Sequence, residues 1–326
     1  MKKITILIIL LMAFLSCEKE PKNVKLRGPV FGTAYNIQYY APHETNYIEE
    51  IDSLFDVING SLSTYQPNSD ISKLNRNELD SVDDHFVNVF KASKEIYENT
   101  KGVFDPTIGN IVNAWNFGAE TNKFLTDSTT IDSLMQFVGF DKVKRKGHII
   151  EKPSSTYLEF NAIAKGYGID VISNFLESKN IHNYLVDIGG DMRVSGTNLE
   201  RHSGWTIGID DPNFDGSQSY SKVIVLKDEA IATSGTYRKF KIDDNGNRYA
   251  HIIDTKTGYP TKTHILSVSV IAPDCMTADA YATAFQAMGV ENVTEFLKTH
   301  PELKVFFIYE NNEQKMETKS LNGFPE

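Results

Sequence analysis

Residues 158–170, with the sequence LEFNAIAKGYGID, are the centre of the predicted fold. An apolar segment that bears Glu159 leads through the small-residue corner Asn161-Ala162 into a helical pattern. Apolar residues recur every four positions after the corner, and two more widen the stripe: Ile163, Tyr167, Val171, Phe175, Ile172 and Leu176. This spacing predicts a strand that turns tightly into a helix with a buried face, running to about Lys179.

The start of this helix is a candidate anion site. Free backbone N–H groups and partial positive charge at a helix N-terminus suit a phosphate. Glu159 and Lys165 flank the corner with opposite charges, and two segments elsewhere, Asp187-Ile188-Gly189-Gly190-Asp191 and Ala278-Asp279, are predicted to meet it. The two glycines permit either close approach of a ligand or a tight hairpin. Taken alone, the stretch fits an ordinary buried turn between a strand and a helix at least as well.

The composition is that of a globular protein without a nucleic-acid partner. The chain has 326 residues, 40% of them hydrophobic and 23% charged, which allows one large domain or two modest ones. The formal net charge is −10 and becomes −12 once Lys2 and Lys3 are removed with the leader. This negative balance disfavours binding to a phosphate backbone. Two cysteines, Cys17 and Cys275, provide neither a disulfide framework nor a Cys-based zinc site.

The first residues are a targeting segment. Lys2-Lys3 precede an apolar run over 4–15 that is too short to span a bilayer, and the run ends in Ser16-Cys17, which resembles a bacterial lipobox. Plain secretion and an uncleaved anchor are the alternatives. We expect a lipoprotein signal peptide over 1–16, a lipidated Cys17 and tether over 17–30, and a catalytic domain over 31–326. The domain would then face the extracytoplasmic side of a membrane, such as the periplasm.

Periodicity predicts alternating helices and strands after the leader. Helices are expected over 47–62, 86–100, 130–138 and 276–289, with caps at Ser69/Asp70 and Thr277. Strands are expected over 34–40, 184–188, 205–209, 221–226, 267–272 and 303–309, the last being the final strand.

Asp279 and Thr283 stand four residues apart on the last long helix, so they share one face. A carboxylate and a hydroxyl are hard oxygen donors, which Mg²⁺ accepts while it keeps waters or a substrate phosphate. A capped helix whose aspartate offsets the dipole is the simpler alternative. Tyr65 is likewise either a ring that stacks on a ligand or a loop residue that packs locally.

Segments along nearly the whole chain after the leader resemble the family of FAD:protein FMN transferases, also called ApbE-type flavin transferases. They occur in the family's order: Ser63-Thr64-Tyr65, Ser72-Lys73-Leu74-Asn75, Phe104-Asp105-Pro106-Thr107, Trp115-Asn116-Phe117-Gly118, Ala162-Ile163-Ala164-Lys165-Gly166-Tyr167, Asp187-Ile188-Gly189-Gly190-Asp191, Ser234-Gly235, His251-Ile252-Ile253-Asp254 with Thr257-Gly258, and Thr277-Ala278-Asp279-Ala280-Tyr281-Ala282-Thr283. Each segment is a weak signal by itself, but the set in this order is specific.

The resemblance implies a role for individual residues. Asp279, Thr283 and the main-chain carbonyl of Ala162 match ligands of Mg²⁺. The remaining matches contact the flavin nucleotide: Glu159, Lys165, Phe31, Tyr65, Asp105, Pro106, Thr107 and Ile253. In three places this chain departs from the family: it has Glu159 where Asp is frequent, Phe31 where Met is common and Thr255 where Pro is frequent.

The implied fold is an α+β, T-fold-like catalytic domain with mixed sheets flanked by helices and FAD between two lobes. The implied reaction moves FMN from FAD to a Ser or Thr hydroxyl of a client flavoprotein and releases AMP. His251 is the candidate base, oriented by Asp254, and a structural, hydrogen-bonded His251 is nearly as plausible. The alternatives are a Mg²⁺-dependent FAD pyrophosphatase that uses the same site with water, and a non-enzymatic FAD-binding lipoprotein.

Overall fold

The computed structural model of the chain describes residues 20–42, 45–120, 127–213, 219–236, 240–242, 248–261, 263–311, 313 and 315–326. The signal peptide and Cys17 lie outside these residues. No helix in the described part of the chain has both the length and the apolarity needed to cross a membrane.

An eight-stranded antiparallel sheet forms the centre of the molecule, and its spatial order follows the chain order of its strands. From one edge to the other these are β1 (Lys22–Val30), β2 (Thr33–Ala41), β5 (Tyr184–Ile188), β6 (Asp191–Ser195), β9 (Ala230–Gly235), β12 (Ile265–Ala272), β13 (Lys304–Glu310) and β14 (Met316–Leu321). The remaining strands form three hairpins: β3 (Lys144–Lys146) with β4 (Ile149–Glu151), β7 (Trp205–Asp210) with β8 (Tyr220–Leu226), and β10 (Phe240–Ile242) with β11 (Arg248–Ala250).

Eight α-helices are described. They are α1 (Ile48–Leu62), α2 (Asp70–Asn75), α3 (Asp84–Asn99), α4 (Gly109–Ala114), α5 (Ser128–Met135), α6 (Ala164–Ser178), α7 (Cys275–Met288) and α8 (Val290–Phe296), with 3₁₀ turns at Phe140–Lys142 and Leu297–Thr299. The α+β class predicted from the sequence is confirmed. Where the sequence predicted mixed sheets, the strand pairs of the main sheet are all antiparallel.

Capping side chains set where the helices begin. Ser69 accepts a hydrogen bond from the N–H of Ser72 at the start of α2, as predicted. The cap of α7 is different from the prediction: Asp274, and not Thr277, lies at the N-cap, and its carboxylate accepts the N–H of Thr277. An ionised oxygen is the stronger acceptor, so the preceding aspartate satisfies the helix start and Thr277 becomes its donor.

Helices α6 and α7 pack side by side on one face of the sheet, α6 over β5 and β6 and α7 over β9 and β12. Ile169, Ile172 and Leu176 of α6 are fully buried, whereas Val171 and Phe175 are half-buried. Four of the six residues of the predicted stripe are buried, namely Ile163, Tyr167, Ile172 and Leu176, so the prediction is confirmed at these positions and Ile169 widens the buried face. The opposite face of the sheet is covered by the hairpin β7–β8, with Trp205 and Ile207 in its core.

A small helical lobe lies beside the core that is formed by the main sheet, helices α6 and α7, and the hairpin β7–β8. Ile111 of α4 and Ile131 of α5 are fully buried in it, and Ile253 packs against them. The indole N–H of Trp115 donates to the carbonyl of Gly258 at 2.8 Å. The lobe is thereby joined to the segment that follows β11, and a cavity lies where the two meet.

Three local predictions differ from the structure. Strand β1 belongs to the main sheet, although residues 17–30 were predicted to be a tether. Residues 158–160 are not a strand: Tyr157 forms an isolated bridge with Ile108, and a turn leads directly into α6. Strand β14 follows β13, which was predicted to be the last strand.

Candidate active site

A cavity of about 200 Å³ lies between the corner before α6, the face of α7, the lobe of α4, and residues 251–255. Seven of the predicted site residues line it: Asp105, Pro106, Glu159, Ala162, His251, Ile253 and Thr283. Its apolar side includes Ile108, Val112 and Phe117. The fold therefore brings these seven predicted site residues, which come from separate segments of the chain, to one cavity.

Asp279 and Thr283 are one turn apart on α7, as their spacing predicted. Thr283 lines the cavity, and its hydroxyl oxygen lies 3.2 Å from the hydroxyl of Ser234 on β9. Asp279 is buried behind it and accepts the N–H of Gly166 at 2.9 Å. The predicted anion site at the start of α6 is thus partly taken by a carboxylate of the protein itself.

These oxygen atoms fit a divalent cation with hard-ligand preference. One carboxylate, one hydroxyl and a main-chain carbonyl at Ala162 are donors of the kind that Mg²⁺ accepts in small number, since it retains water or substrate oxygens. Within the described residues, no group of three or more His, Cys, Asp and Glu side chains is arranged to hold a metal. A metal here would therefore depend on this mixed set of oxygen donors.

Two buried carboxylates and one ammonium group lie together behind the cavity. Lys165 forms an ion pair with Asp191, whose other carboxylate oxygen accepts the N–H of Thr233 at 3.1 Å. Burial, followed by repulsion from Asp191, raises the pKa of Asp279 to about 7, although Lys165 opposes the rise. Burial alone would lower the pKa of Lys165, but Asp191 and Asp279 outweigh it and raise that pKa.

Gly189 and Gly190 form the tight turn between β5 and β6, with φ values of +61° and +96°. The N–H of Gly190 donates to Asp187 at 2.9 Å. The hairpin alternative for these glycines is confirmed. The residue that reaches the corner is Asp191, immediately after the turn.

Glu159 is positioned by the backbone of the preceding lobe. Its N–H donates to the carbonyl of Pro106 at 2.8 Å, and Asn161 donates to its carboxylate at 2.8 Å. Partial burial and then the Glu159 carboxylate raise the pKa of the Tyr65 hydroxyl. Tyr65 as a whole is 59% exposed, which leaves it accessible to a flat partner.

Asp105 and Thr107 stabilise the turn that contributes Pro106. Asp105 accepts both the N–H and the hydroxyl of Thr107, at 2.8 and 2.6 Å. Burial raises the pKa of Asp105, and the two bonds from Thr107 oppose that rise. Thr107 is fully buried and does not line the cavity, so its observed role is to stabilise the turn.

His251 lines the cavity and lies against the ring of Phe117, with 6.4 Å between ring centroids. One carboxylate oxygen of Asp254 accepts the N–H groups of Lys256 and Thr257 at 2.8 and 3.2 Å. Its observed role is to form the turn that follows His251. Orientation of His251 by Asp254 stays a prediction.

Phe31, Tyr65, Lys165 and Asp279 lie outside the lining of this cavity. Phe31 has a positive φ of 48° in the turn between β1 and β2, and its ring packs on Phe55, with centroids 5.5 Å apart, and on Gly168. Lys165 stands in the first turn of α6, directly after the corner that lines the cavity.

Three residues of the site had no role assigned from the sequence: Asp191, Ser234 and Asn161. Asp191 and Ser234 stood in segments that matched the family, which was the available signal. Asn161 was read only as a small corner residue. Its bond to Glu159 depends on a turn geometry that residue spacing does not encode.

The sequence model of the ApbE family matches residues 31–307. The chain belongs to the ApbE family. This ApbE-family protein is 33% identical over 337 residues to the FAD:protein FMN transferase of Haemophilus influenzae, covering 98% of this chain and 95% of the relative. It is 35% identical over 290 residues to the FAD:protein FMN transferase of Vibrio cholerae, covering 86% of each. The predicted family is confirmed.

Solved structures agree with this assignment. The ApbE-family protein matches the flavin transferase ApbE from Vibrio cholerae with a TM-score of 0.82 and 32% identity, covering 92% of this chain and 97% of the other. It matches the apo form of Pseudomonas stutzeri flavinyl transferase ApbE with a TM-score of 0.82 and 26% identity, covering 93% and 95%. The likeness therefore extends over the whole domain.

Proposed function

We propose that this ApbE-family protein transfers the FMN part of FAD to a Ser or Thr hydroxyl of a client flavoprotein and releases AMP. The observation that carries the proposal is its similarity to FAD:protein FMN transferases over up to 98% of the chain. Ala162, Thr283 and His251 line one cavity, and Asp279 stands one turn from Thr283 on α7, which supports the proposal.

Asp279, Thr283 and the carbonyl of Ala162 would hold Mg²⁺. When bound, Mg²⁺ supplies positive charge that offsets the charge of the diphosphate. Ser234 fixes the Thr283 hydroxyl through its own hydroxyl, 3.2 Å away. Lys165 adds a second positive charge that Asp191 holds in place at the same corner.

The acceptor chemistry requires one proton to leave the client hydroxyl. The hydroxyl oxygen forms a bond to the phosphorus of the FMN half, the bond from that phosphorus to the oxygen of AMP breaks, and AMP leaves. His251 takes the hydroxyl proton, since it lines the cavity and an imidazole titrates near neutral pH. Phe117 packs on one side of His251 and limits the directions that its ring can take.

The rest of FAD extends past the enclosed cavity. A volume of about 200 Å³ is below the roughly 300–1,000 Å³ of most ligand pockets, so it can hold only part of the dinucleotide. The exposed face of Tyr65 and the carboxylate of Glu159 lie at the open side, where a ring system could stack and donate a hydrogen bond.

Cys17 would carry the lipid that holds the domain on a membrane, facing the periplasm or another extracytoplasmic space. The short apolar run after Lys2-Lys3 and the small Ser16 before the cysteine support this. Metabolic labelling with a radioactive fatty acid should label the wild-type protein but not Cys17→Ala. Equal labelling of both proteins would contradict the anchor.

The transferase is tested with the leaderless protein, FAD and Mg²⁺, with and without a flavin-free acceptor domain from a respiratory redox subunit that carries covalent FMN. We expect the acceptor domain to gain the mass of FMN as AMP appears, and Asp279→Ala to abolish both. Asp274→Ala is the matched control, because it removes the cap of the same helix without removing a site oxygen.

Each outcome separates one function from the others. Release of AMP and free FMN without labelling of the acceptor domain would identify a pyrophosphatase. Binding of FAD without any product would leave a binding protein. Equal activity of Asp279→Ala and wild type would refute the assigned role of α7.

A further inference from the structure

A second cavity, of about 640 Å³, lies next to the catalytic one. We name it the distal groove. The C-terminal ends of α3 and α7, one side of α8, and the turn at residues 254–256 form its walls. The lining residues used below are Asn99, Lys101, Lys256, Met288, Asn292 and Glu295.

One layer of residues separates the distal groove from the catalytic cavity. Val103, Thr255 and Ala287 line both spaces. The hydroxyl of Thr255 donates to the carbonyl of Gly102 at 2.6 Å, which ties the two sides of this wall together. A proline, which is frequent at this place in the family, could not form that bond. A ligand in the groove therefore lies one side chain away from Thr283 and His251.

The helix ends at the groove favour a ligand that donates hydrogen bonds. Two helices end there, and the C-terminal end of a helix carries partial negative charge. Neither α3 nor α7 has a basic residue in its last turn, and the nearest cation in sequence, Lys101, stands two residues beyond α3 at the exposed rim. The groove thus favours groups that donate hydrogen bonds, such as the N–H groups and hydroxyls of a peptide.

Its remaining features match an extended peptide. Asn99 and Asn292 each donate an amide N–H within the protein, to the Tyr281 hydroxyl at 3.1 Å and the Met288 carbonyl at 2.8 Å. Their remaining amide atoms can pair with a peptide backbone, and Met288 offers an apolar surface for a side chain. Lys101 and Lys256 are exposed at the rim. The volume lies within the range of about 300–1,000 Å³ that is usual for ligand pockets.

We propose that the distal groove binds the segment of the client protein that flanks its acceptor residue, so that the client chain passes over the shared wall and its Ser or Thr hydroxyl enters the catalytic cavity. This inference rests on the proposed transferase function and adds the surface that recognises the client. The two substrates then approach from two sides: FAD from the side of Tyr65 and Glu159, and the client peptide from the side of α8.

The test fills the groove without touching the catalytic cavity. Glu295→Trp and Asn292→Trp each place a large ring on exposed positions of α8 that line the groove. Glu50→Trp is the matched control, since Glu50 is an exposed helical glutamate on α1, away from both spaces. Thermal melting of all three variants verifies that each is folded.

Binding is measured by titration with the flavin-free acceptor domain whose acceptor residue is changed to alanine, so that no transfer occurs. We expect Glu295→Trp and Asn292→Trp to raise the Kd for this domain, and the KM for the intact domain, at least about tenfold. The Kd for FAD and the kcat should stay within about twofold of wild type, and Glu50→Trp should match wild type throughout.

Two results would overturn the proposal. A weaker Kd for FAD with an unchanged Kd for the acceptor domain would assign the groove to the nucleotide. Unchanged values for both ligands would show that the client docks elsewhere. Absence of FMN transfer by the wild-type protein would instead refute the proposed function, and the titration with the inert domain would still report on the groove.

Discussion

Asp191 illustrates how a single buried side chain holds the site together. It is 1% exposed, and its two oxygens contact Lys165 on α6 and the N–H of Thr233 on β9. Removing one partner of a buried ion pair leaves an uncompensated charge, which is far more costly than losing a pair on the surface. Lys165 retains some exposure, at 27% of its side chain, so water offsets part of that cost.

Asp191→Ala should therefore reduce the free energy of unfolding by about 2–4 kcal/mol, as measured by urea denaturation of the leaderless protein. Glu151→Ala is the control, because Glu151 pairs with Lys146 while both side chains are at least half exposed. That control should produce no detectable change. Similar losses in the two variants would show that Lys165 does not depend on Asp191.

His251→Ala tests the proton acceptor. We expect the rate of FMN transfer to fall about 10²- to 10⁴-fold, because a positioned base contributes that much to proton transfer. FAD binding, followed by flavin fluorescence, should be unchanged, and added imidazole should restore part of the rate. Replacing the exposed His182 by alanine should have no effect. A parallel loss of FAD affinity would instead indicate a binding role for His251.

At the scale of single residues, local patterns identified the donors but not their partners. The spacing of Asp279 and Thr283 and their place in a helix followed from periodicity alone. The pairing of Lys165 with Asp191 and of Thr283 with Ser234 joins residues far apart in the chain, and such contacts exist only once the sheet is formed. Asp254 is a further case: its bonds to the turn at Lys256 and Thr257 depend on local backbone geometry that the neighbouring histidine does not indicate.

At the scale of elements, the close contact between α6 and α7 determines the site. A Cβ on Gly166 would lie 2.6 Å from the carbonyl carbon of Cys275 and 2.8 Å from the Cβ of Asp279. The lack of a side chain at Gly166 is what lets its N–H reach the Asp279 carboxylate. Gly166 therefore sets both the spacing of α6 and α7 and the position of Asp279, the proposed metal ligand.

Gly166→Ala should destabilise the protein by about 1–3 kcal/mol, because overpacking forces the two helices apart. It should also lower FMN transfer, since Asp279 moves with α7. Gly60→Ala is the matched control within α1, where an added Cβ would meet no atom within 4 Å. That variant should be as stable as wild type or up to about 1 kcal/mol more stable, because alanine has a higher helix propensity than glycine. Circular dichroism melting of both variants measures the change in stability. An unchanged melting temperature of Gly166→Ala would contradict the close contact between α6 and α7.

The elements that sequence periodicity predicted are those with one strongly apolar face. Helices α1 and α3 are of this kind. Strand β12 is instead buried along its whole length, on both faces, and its β-branched content predicted it. The sequence did not predict the two edge strands, β1 and β14, because they bury few residues. Only Leu26 and Val30 of β1 are buried, and β14 has no buried residue, so neither shows a clear alternation.

At the scale of the whole molecule, Cys275 is a reporter of global opening. It is fully buried at the start of α7, and burial raises the pKa of its thiol well above the ordinary value. A thiol reagent can therefore react with it only after α6 and α7 separate from the sheet.

In a leaderless protein that lacks Cys17, labelling of Cys275 at pH 8 should be at least about 10³-fold slower than in urea-unfolded protein, given the usual stability of a folded domain. The rate should increase with urea in parallel with global unfolding, and mass spectrometry of timed samples measures it. Fast labelling without urea would mean that α7 opens locally, which would contradict the packing described above.

The order of strands in the main sheet has a consequence for attaching probes to this protein. Because β1 and β14 are its outer strands, the chain enters the sheet at one border and leaves it at the other. Seven spacings of about 4.8 Å place these borders roughly 30 Å apart. Two fluorescent labels, one on each border strand, would therefore sit a full sheet width apart, which suits distance measurements across the sheet.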